Sequence, residues 1–288
     1  KKIRNIMVNK LDRLAELHNR YDVIFCDVWG VLHNGVESWP LAGEALSAFR
    51  NQGGSVVLIT NSPRRRQSVA EQLDLMGVYP DAFDSIVTSG DVTRDLISAG
   101  SKRVYFIGPE RDLSLFEGLG VSNVGLDDAG IVVCTGLFDD EKETAQQYVP
   151  VLRDIREKNL PFICANPDLV VERGERLIPC AGAIAALYEE MGGTTLVSGK
   201  PHKPIYDAAL TAAGQLRSHV DKSRILAIGD GMPTDVKGAQ DYGLDLLYVS
   251  EGIHAREYSE RSVVDALRLN EFLLRHDARP VCWMPRLR

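Results

Sequence analysis

Asp27 stands directly after the apolar run Val23-Ile24-Phe25-Cys26. Asp230 and Asp235 share one short loop, Gly229-Asp230-Gly231-Met232-Pro233-Thr234-Asp235, which follows Ile225-Leu226-Ala227-Ile228. Thr60 closes a third apolar run, Val56-Val57-Leu58-Ile59, and Lys200 lies in Ser198-Gly199-Lys200-Pro201. One aspartate after a strand is ordinarily a cap or a turn residue, so the set carries the argument. Hard oxygen donors in small number suit Mg²⁺, which binds through one or two carboxylates and keeps several waters. An ammonium and a hydroxyl suit phosphoryl oxygens, and a free carboxylate suits in-line attack on phosphorus.

Such residues need elements to hold them. The segments 22–27, 56–59 and 224–228 each hold an unbroken apolar run that gives way to a polar loop, as strands buried on both faces do. Helical spacing separates them at Leu41–Arg50, Arg66–Met76 and Pro204–Ala213. This alternation predicts parallel βαβ units in a doubly wound, Rossmann-like sheet, with ligands at the carboxyl ends of its strands. The middle of the chain repeats the grammar: strands at 102–107, 130–134 and 160–164, and a helix from Glu141 to Lys158. The expected fold is therefore α/β, with a core over 1–88 and 184–288 and a second α/β domain inserted at 89–183. A helix is expected over Ile3–Arg20, and an irregularly packed tail over Asn270–Arg288.

Composition narrows the partners. The 288 residues are 44% hydrophobic and 25% charged, which is ordinary for a globular protein and excludes a disordered or fibrous one. No run approaches the ~18 apolar residues of a membrane span, and the first residues lack the apolar stretch of a secretory signal. Five scattered cysteines without C-x-x-C spacing read as reduced, buried thiols of a cytoplasmic protein. A net charge of −7 speaks against nucleic acid, which demands a basic surface, but a local cluster can still hold one anion. Gly118-Leu119-Gly120 lacks the spacing of a dinucleotide fingerprint, and neither a P-loop nor a G-x-S-x-G elbow is present.

With those residues in place, Asp27-Val28-Trp29-Gly30-Val31-Leu32 resembles the first motif of the haloacid dehalogenase-like hydrolases. Leu58-Ile59-Thr60-Asn61-Ser62 resembles their second motif, Gly199-Lys200-Pro201 their third, and Gly229-Asp230 through Asp235 their fourth. Four motifs in the family's order are specific where any one would be weak. Ala165-Asn166-Pro167-Asp168 and Pro179-Cys180-Ala181-Gly182-Ala183 resemble the NagD-type (class IIA) phosphatases, which carry an α/β cap between motifs two and three. The resemblance spans about residues 20–250. It implies a Mg²⁺-dependent phosphatase of a small phosphorylated metabolite of the sugar, nucleotide or pyridoxal phosphate class. Asp27 would be the nucleophile that becomes aspartyl-phosphate. Thr60, Asn61 and Lys200 would bind the phosphoryl group. Asp27, the Trp29 carbonyl, Asp230 and Asp235 would hold the metal, and Asn166 and Asp168 would read the substrate from the cap. No nucleic acid or membrane partner is implied, and a homodimer is compatible with the reading.

Trp29 departs from the pattern. Most phosphatases of the family carry a second Asp two residues after the nucleophile, as general acid and base, and an indole cannot shuttle a proton. General acid–base catalysis contributes ~10²–10⁴-fold, so a protein that binds a phosphometabolite without efficient turnover is the alternative. His33 is weighed as a substitute acid against a surface-loop histidine, and the second is preferred. Arg64-Arg65-Arg66 reads as a solvated helix end, with attraction of an anionic substrate as the competing reading. Trp39 reads as a packing residue.

Overall fold

The computed structural model describes residues 7–260 and 263–288. The chain forms two compact units: residues up to Ile59 with Leu73–Ile86 and Ala209–Arg288, and Thr60–Gln72 with Val87–Ala208. The second unit thus takes in 60–72 and 184–208, on either side of the 89–183 segment.

A six-stranded sheet organises the first unit. Its order is Cys282–Met284, Asp245–Val249, Ile225–Gly229, Val23–Cys26, Ser55–Thr60, Ser85–Thr88. The central strand Val23–Cys26 pairs in parallel with Ile225–Gly229 on one side and Ser55–Thr60 on the other. Every residue of these three strands is buried, which explains why they read as unbroken apolar runs. Helices Pro40–Asn51 and Lys203–Leu216 match the expected spacing to within a few residues, and Arg66–Leu75 does the same.

The ends of this sheet differ from the sequence reading. Among the described residues, the expected Ile3–Arg20 helix is a single 3-10 turn, Leu14–Leu17, while 3–6 lie outside them. The segment before that turn is drawn into edge pairing instead. The Trp283 N–H donates to Asn9 O and the Leu11 N–H to Trp283 O, each at 2.9 Å. Those bonds require extended backbone. The tail is regular as well. Asp265 caps the helix Ala266–Arg275 by accepting the N–H groups of Leu267 and Arg268. Cys282–Met284 then joins the sheet beside Asp245–Val249. Pro280 and Pro285 flank this edge strand without interrupting it, the position proline tolerates in a sheet.

The second unit has its own parallel sheet, in the order Thr195–Val197, Phe162–Cys164, Ile131–Cys134, Arg103–Ile107, Ser122–Asn123. An antiparallel hairpin, Val170–Arg173 with Arg176–Pro179, lies outside it. Ile107, Val132, Cys134, Phe162, Ile184 and Tyr188 form part of its core. The helix expected from Glu141 begins later. A 3-10 turn at Ala145–Tyr148 precedes the α-helix Val149–Glu157, because Thr144 and Gln147 form a capping box and Pro150 favours the first helical turn. All five cysteines are free and buried. No helix among the described residues is long and apolar enough to cross a membrane.

Candidate active site

The first unit brings three of the expected residues together. Asp27, Asp230 and Asp235 each offer a carboxylate oxygen within 4.8 Å of the others, and all three are buried. Parallel pairing produces this. The Asp27 N–H donates to Ile228 O at 2.8 Å, extending the ladder one residue past Cys26, so the nucleophile candidate sits beside the Gly229-Asp230 strand end. Backbone amides fix the other two: Ile253 N–H donates to Asp230 Oδ2 at 2.7 Å, and Gly231 N–H to Asp235 Oδ2 at 3.0 Å.

Glycines make room for Asp230. A Cβ at Gly30 would lie 2.4 Å from Asp230 Oδ2, and one at Gly252 would lie 2.0 Å from the same atom. Gly30 also has φ +91°, in the region side chains avoid. Gly252 and Ile253 were not singled out in the sequence. Their signal is Ser250-Glu251-Gly252 after the apolar run Leu246–Val249, the same strand-then-loop grammar as the other motifs. Three converging buried carboxylates would repel one another strongly at short range, and a hard divalent cation relieves that repulsion. The all-oxygen donor set fits such an ion.

The second unit gathers Thr60, Asn61, Asp168 and Lys200. Asn61 is the hub. Its Oδ1 accepts from the Lys200 backbone N–H at 2.7 Å, and its Nδ2 donates to Lys200 O at 3.2 Å and to Asp168 Oδ1 at 2.9 Å. Gly199 permits the approach, since a Cβ there would stand 2.7 Å from Asn61 Oδ1. Asn166 Oδ1 accepts the Asp168 N–H at 3.1 Å, closing an Asx turn that presents Asp168 to Asn61. Ser198, just before the lysine motif, is held by Thr93 Oγ1 at 2.6 Å. The Thr60 hydroxyl accepts the Ser62 N–H at 3.2 Å, and both Thr60 and Lys200 are buried. The Asn61 amide is therefore committed to placing Lys200.

Trp29 and His33 form one feature. Their rings meet edge to face at 5.0 Å, and the backbone forms a bridge between them. His33 is 1% exposed, which corrects the surface-loop reading. The loop folds back on itself, with Gly30 N–H donating to His33 O at 2.8 Å and Gly35 N–H donating to His33 Nδ1 at 3.0 Å. The ring is thus engaged through Nδ1 in holding the loop's own backbone.

The arginine run divides. Arg65 pairs with Glu117 at 3.0 Å and Arg66 with Asp91 at 2.8 Å, as a solvated helix end would. Arg64 does not: it is half-buried, and its Nη2 donates to Gln72 Oε1. Trp39 packs beneath the Arg286 guanidinium, 4.1 Å from its ring centre. Elsewhere in the first unit, burial lowers the pKa of His254, whose Nε2 accepts the Met232 N–H at 3.0 Å and so steadies the Asp230–Asp235 loop.

Comparison with known proteins bears on this arrangement. Residues 24–122 match a family model described as haloacid dehalogenase-like hydrolase, and residues 197–268 match one described as HAD-hydrolase-like. A solved structure of a haloacid dehalogenase-like family hydrolase from Brucella suis is 52% identical, covering 96% of this chain and 100% of its own, with a TM-score of 0.87. An acid sugar phosphatase from Staphylococcus saprophyticus is 27% identical over 85% of this chain and 92% of its own length. NagD from Escherichia coli shares the fold at 22% identity, with a TM-score of 0.67 over 92% of this chain and 96% of its own. The chain belongs to the haloacid dehalogenase-like hydrolases, in their NagD-type (class IIA) branch of phosphatases.

Proposed function

We propose that the protein is a Mg²⁺-dependent phosphatase acting on a small phosphorylated metabolite through an aspartyl-phosphate on Asp27. The convergence of three buried carboxylates at the ends of two adjacent parallel strands carries this reading. Asp27, Asp230, Asp235 and the Trp29 carbonyl would hold the ion, which when bound neutralises charge on the phosphoryl oxygens. Asp27 attacks phosphorus in line with the ester oxygen. The new Asp27 Oδ–P bond forms as the P–O bond to the alcohol breaks, and water then hydrolyses the acyl phosphate to return the carboxylate. Lys200 stabilises the phosphoryl charge and the Thr60 hydroxyl donates to a phosphoryl oxygen. Asn61 sets the Lys200 backbone, and Asn166 acts on Asn61 through Asp168. The inserted cap over 89–183 is part of the reading, with the core at 1–88 and 184–288.

The departing alcohol needs a proton, and the Trp29 indole, where the family's acid stands, does not supply it. The reading therefore favours substrates whose oxygen leaves unprotonated. Release of phosphate from 4-nitrophenyl phosphate, with Mg²⁺ and after chelation, tests the proposal. Turnover with Mg²⁺ and its loss on chelation are expected. A rate unaffected by chelation would overturn the metal assignment. Tight binding of a phosphometabolite with no turnover in either condition would favour the alternative of a binding protein.

A further inference from the structure

The five-stranded sheet of the second unit has a switch point of its own. In chain order its strands are Arg103–Ile107, Ser122–Asn123, Ile131–Cys134, Phe162–Cys164 and Thr195–Val197. Across the sheet they run second, first, third, fourth, fifth. In this flavodoxin-like order the chain leaves the first strand in opposite directions, and ligands bind outside the carboxyl ends of the first and third strands. Those ends here are Ile107-Gly108-Pro109 and Cys134-Thr135-Gly136.

The residues gathered around these two ends are charged and partly buried. Asp112 lies on the turn that follows the first strand and is 3% exposed. Burial pushes its carboxyl pKa up, against the opposing pull of Thr135, Arg111 and Arg64. The Thr135 hydroxyl, equally buried, stands toward Asp112 without reaching a well-formed hydrogen bond. Arg64 is close enough to feel Asp112 and the guanidiniums of Arg111 and Arg173. Asp140 lies between the last two, with Oδ2 at 2.5 Å from Arg111 Nη2 and 3.1 Å from Arg173 Nη2. Arg173 also reaches Glu141 at 3.4 Å. Burial works against ionisation of Asp140, yet the two arginines hold its carboxyl below the ordinary range.

Planar guanidinium forks match a carboxylate or phosphate group, and Asp140 already shows the geometry such a group would take. Arg64 is four residues beyond Thr60, so their Cα atoms are at most ~14 Å apart. A small metabolite can span that length. We propose that Arg64, Arg111 and Arg173 form an anion subsite for a second anionic group on the substrate, with Asp140 as the internal carboxylate which that group displaces. This rests on the phosphatase reading, in which Thr60 and Lys200 hold the reacting phosphoryl group. It narrows the substrate class to phosphomonoesters that carry a further carboxylate or phosphate.

Two matched pairs test it in the full chain with Mg²⁺: fructose 6-phosphate against fructose 1,6-bisphosphate, and glucose 6-phosphate against 6-phosphogluconate. The wild type is expected to favour the doubly anionic member of at least one pair by about tenfold in kcat/KM, the scale of one charge-assisted contact. The pair that shows it separates phosphate from carboxylate recognition. Arg111→Gln and Arg173→Gln should each lower that preference, whereas Asp140→Asn should raise it by freeing both forks. An ion-pair network with only a structural role moves stability in all three variants and leaves the preference alone. Absence of preference in the wild type overturns the subsite, whether or not the variants fold. So does a drop in preference in Asp140→Asn. Calorimetric Kd values for the same four compounds, measured alongside, read the subsite even if no ester is hydrolysed, which keeps its failure distinct from failure of the phosphatase reading.

Discussion

The acidic loops of the first unit and the Asn61 hub of the second hold functional groups by different means. Asp230 and Asp235 are fixed by backbone amides of short loops that directly follow buried strands, and glycines leave the room they occupy. Lys200 is fixed by a side chain 139 residues away, which is in turn steadied by Asp168. Backbone-held groups tolerate changes among neighbouring side chains. A side-chain hub concentrates the positioning of several groups in one residue. The difference predicts where each region is fragile.

The largest effect should come at Trp29, beside the acidic loops. Trp29→Asp restores a group able to protonate a leaving oxygen, and should raise kcat/KM for alkyl phosphates over aryl phosphates by up to ~10²–10⁴-fold. Kinetics on a matched alkyl and aryl pair, with melting temperature measured beside them, check this. Equal gains for both would show that protonation does not limit the reaction, and that the indole's packing on His33 matters more.

The hub comes next. Asn61→Ala removes three hydrogen bonds, two of them buried at the Lys200 backbone, each worth about 0.5–3 kcal/mol. A fall in both kcat and thermal stability is expected. Normal kinetics in a folded Asn61→Ala variant would show that Lys200 needs no such clamp. Gly30→Ala should act more narrowly. Its Cβ collides with the Asp230 carboxylate, and its positive φ adds ~1–3 kcal/mol of strain. Weaker Mg²⁺ binding by calorimetry is the expected result, and unchanged affinity would remove Asp230 from the ion's ligands. Smallest of all, Arg66→Ala breaks an exposed pair with Asp91 and should shift stability by no more than ~1 kcal/mol in urea titration.

The same contrast explains what the sequence disclosed. The acidic cluster was legible because Asp27 and the Asp230–Asp235 loop each follow an apolar run, and parallel pairing converts adjacent strand ends into adjacent side chains. The hub was legible only as motifs. Nothing local in Thr60-Asn61-Ser62 announces that the Asn61 amide is committed to Lys200 and Asp168. His33 was misplaced for a related reason: a histidine between Leu32 and an Asn34-Gly35 turn reads as exposed, whereas the loop folds back on itself with backbone bridges from His33 to Trp29 and to Ser38. The N-terminal segment has helical spacing at Leu11, Leu14 and Leu17, yet Trp283, far along the chain, competes for its backbone and wins. Arg64 looked like its two neighbours because its half-burial and its bond to Gln72 arise from how the chain packs, not from the run itself.

The central claim is that Asp27 takes the phosphoryl group. Without a general base at Trp29, hydrolysis of the acyl phosphate should be slower than its formation from an aryl ester. Rapid mixing of the Mg²⁺-loaded protein with 4-nitrophenyl phosphate should then release a burst of 4-nitrophenolate equal to the enzyme concentration. Acid-quenched protein should carry a hydroxylamine-labile phosphoryl group on Asp27, and Asp27→Asn should show neither burst nor label. Steady turnover by Asp27→Asn, or a label on any other residue, would contradict the account.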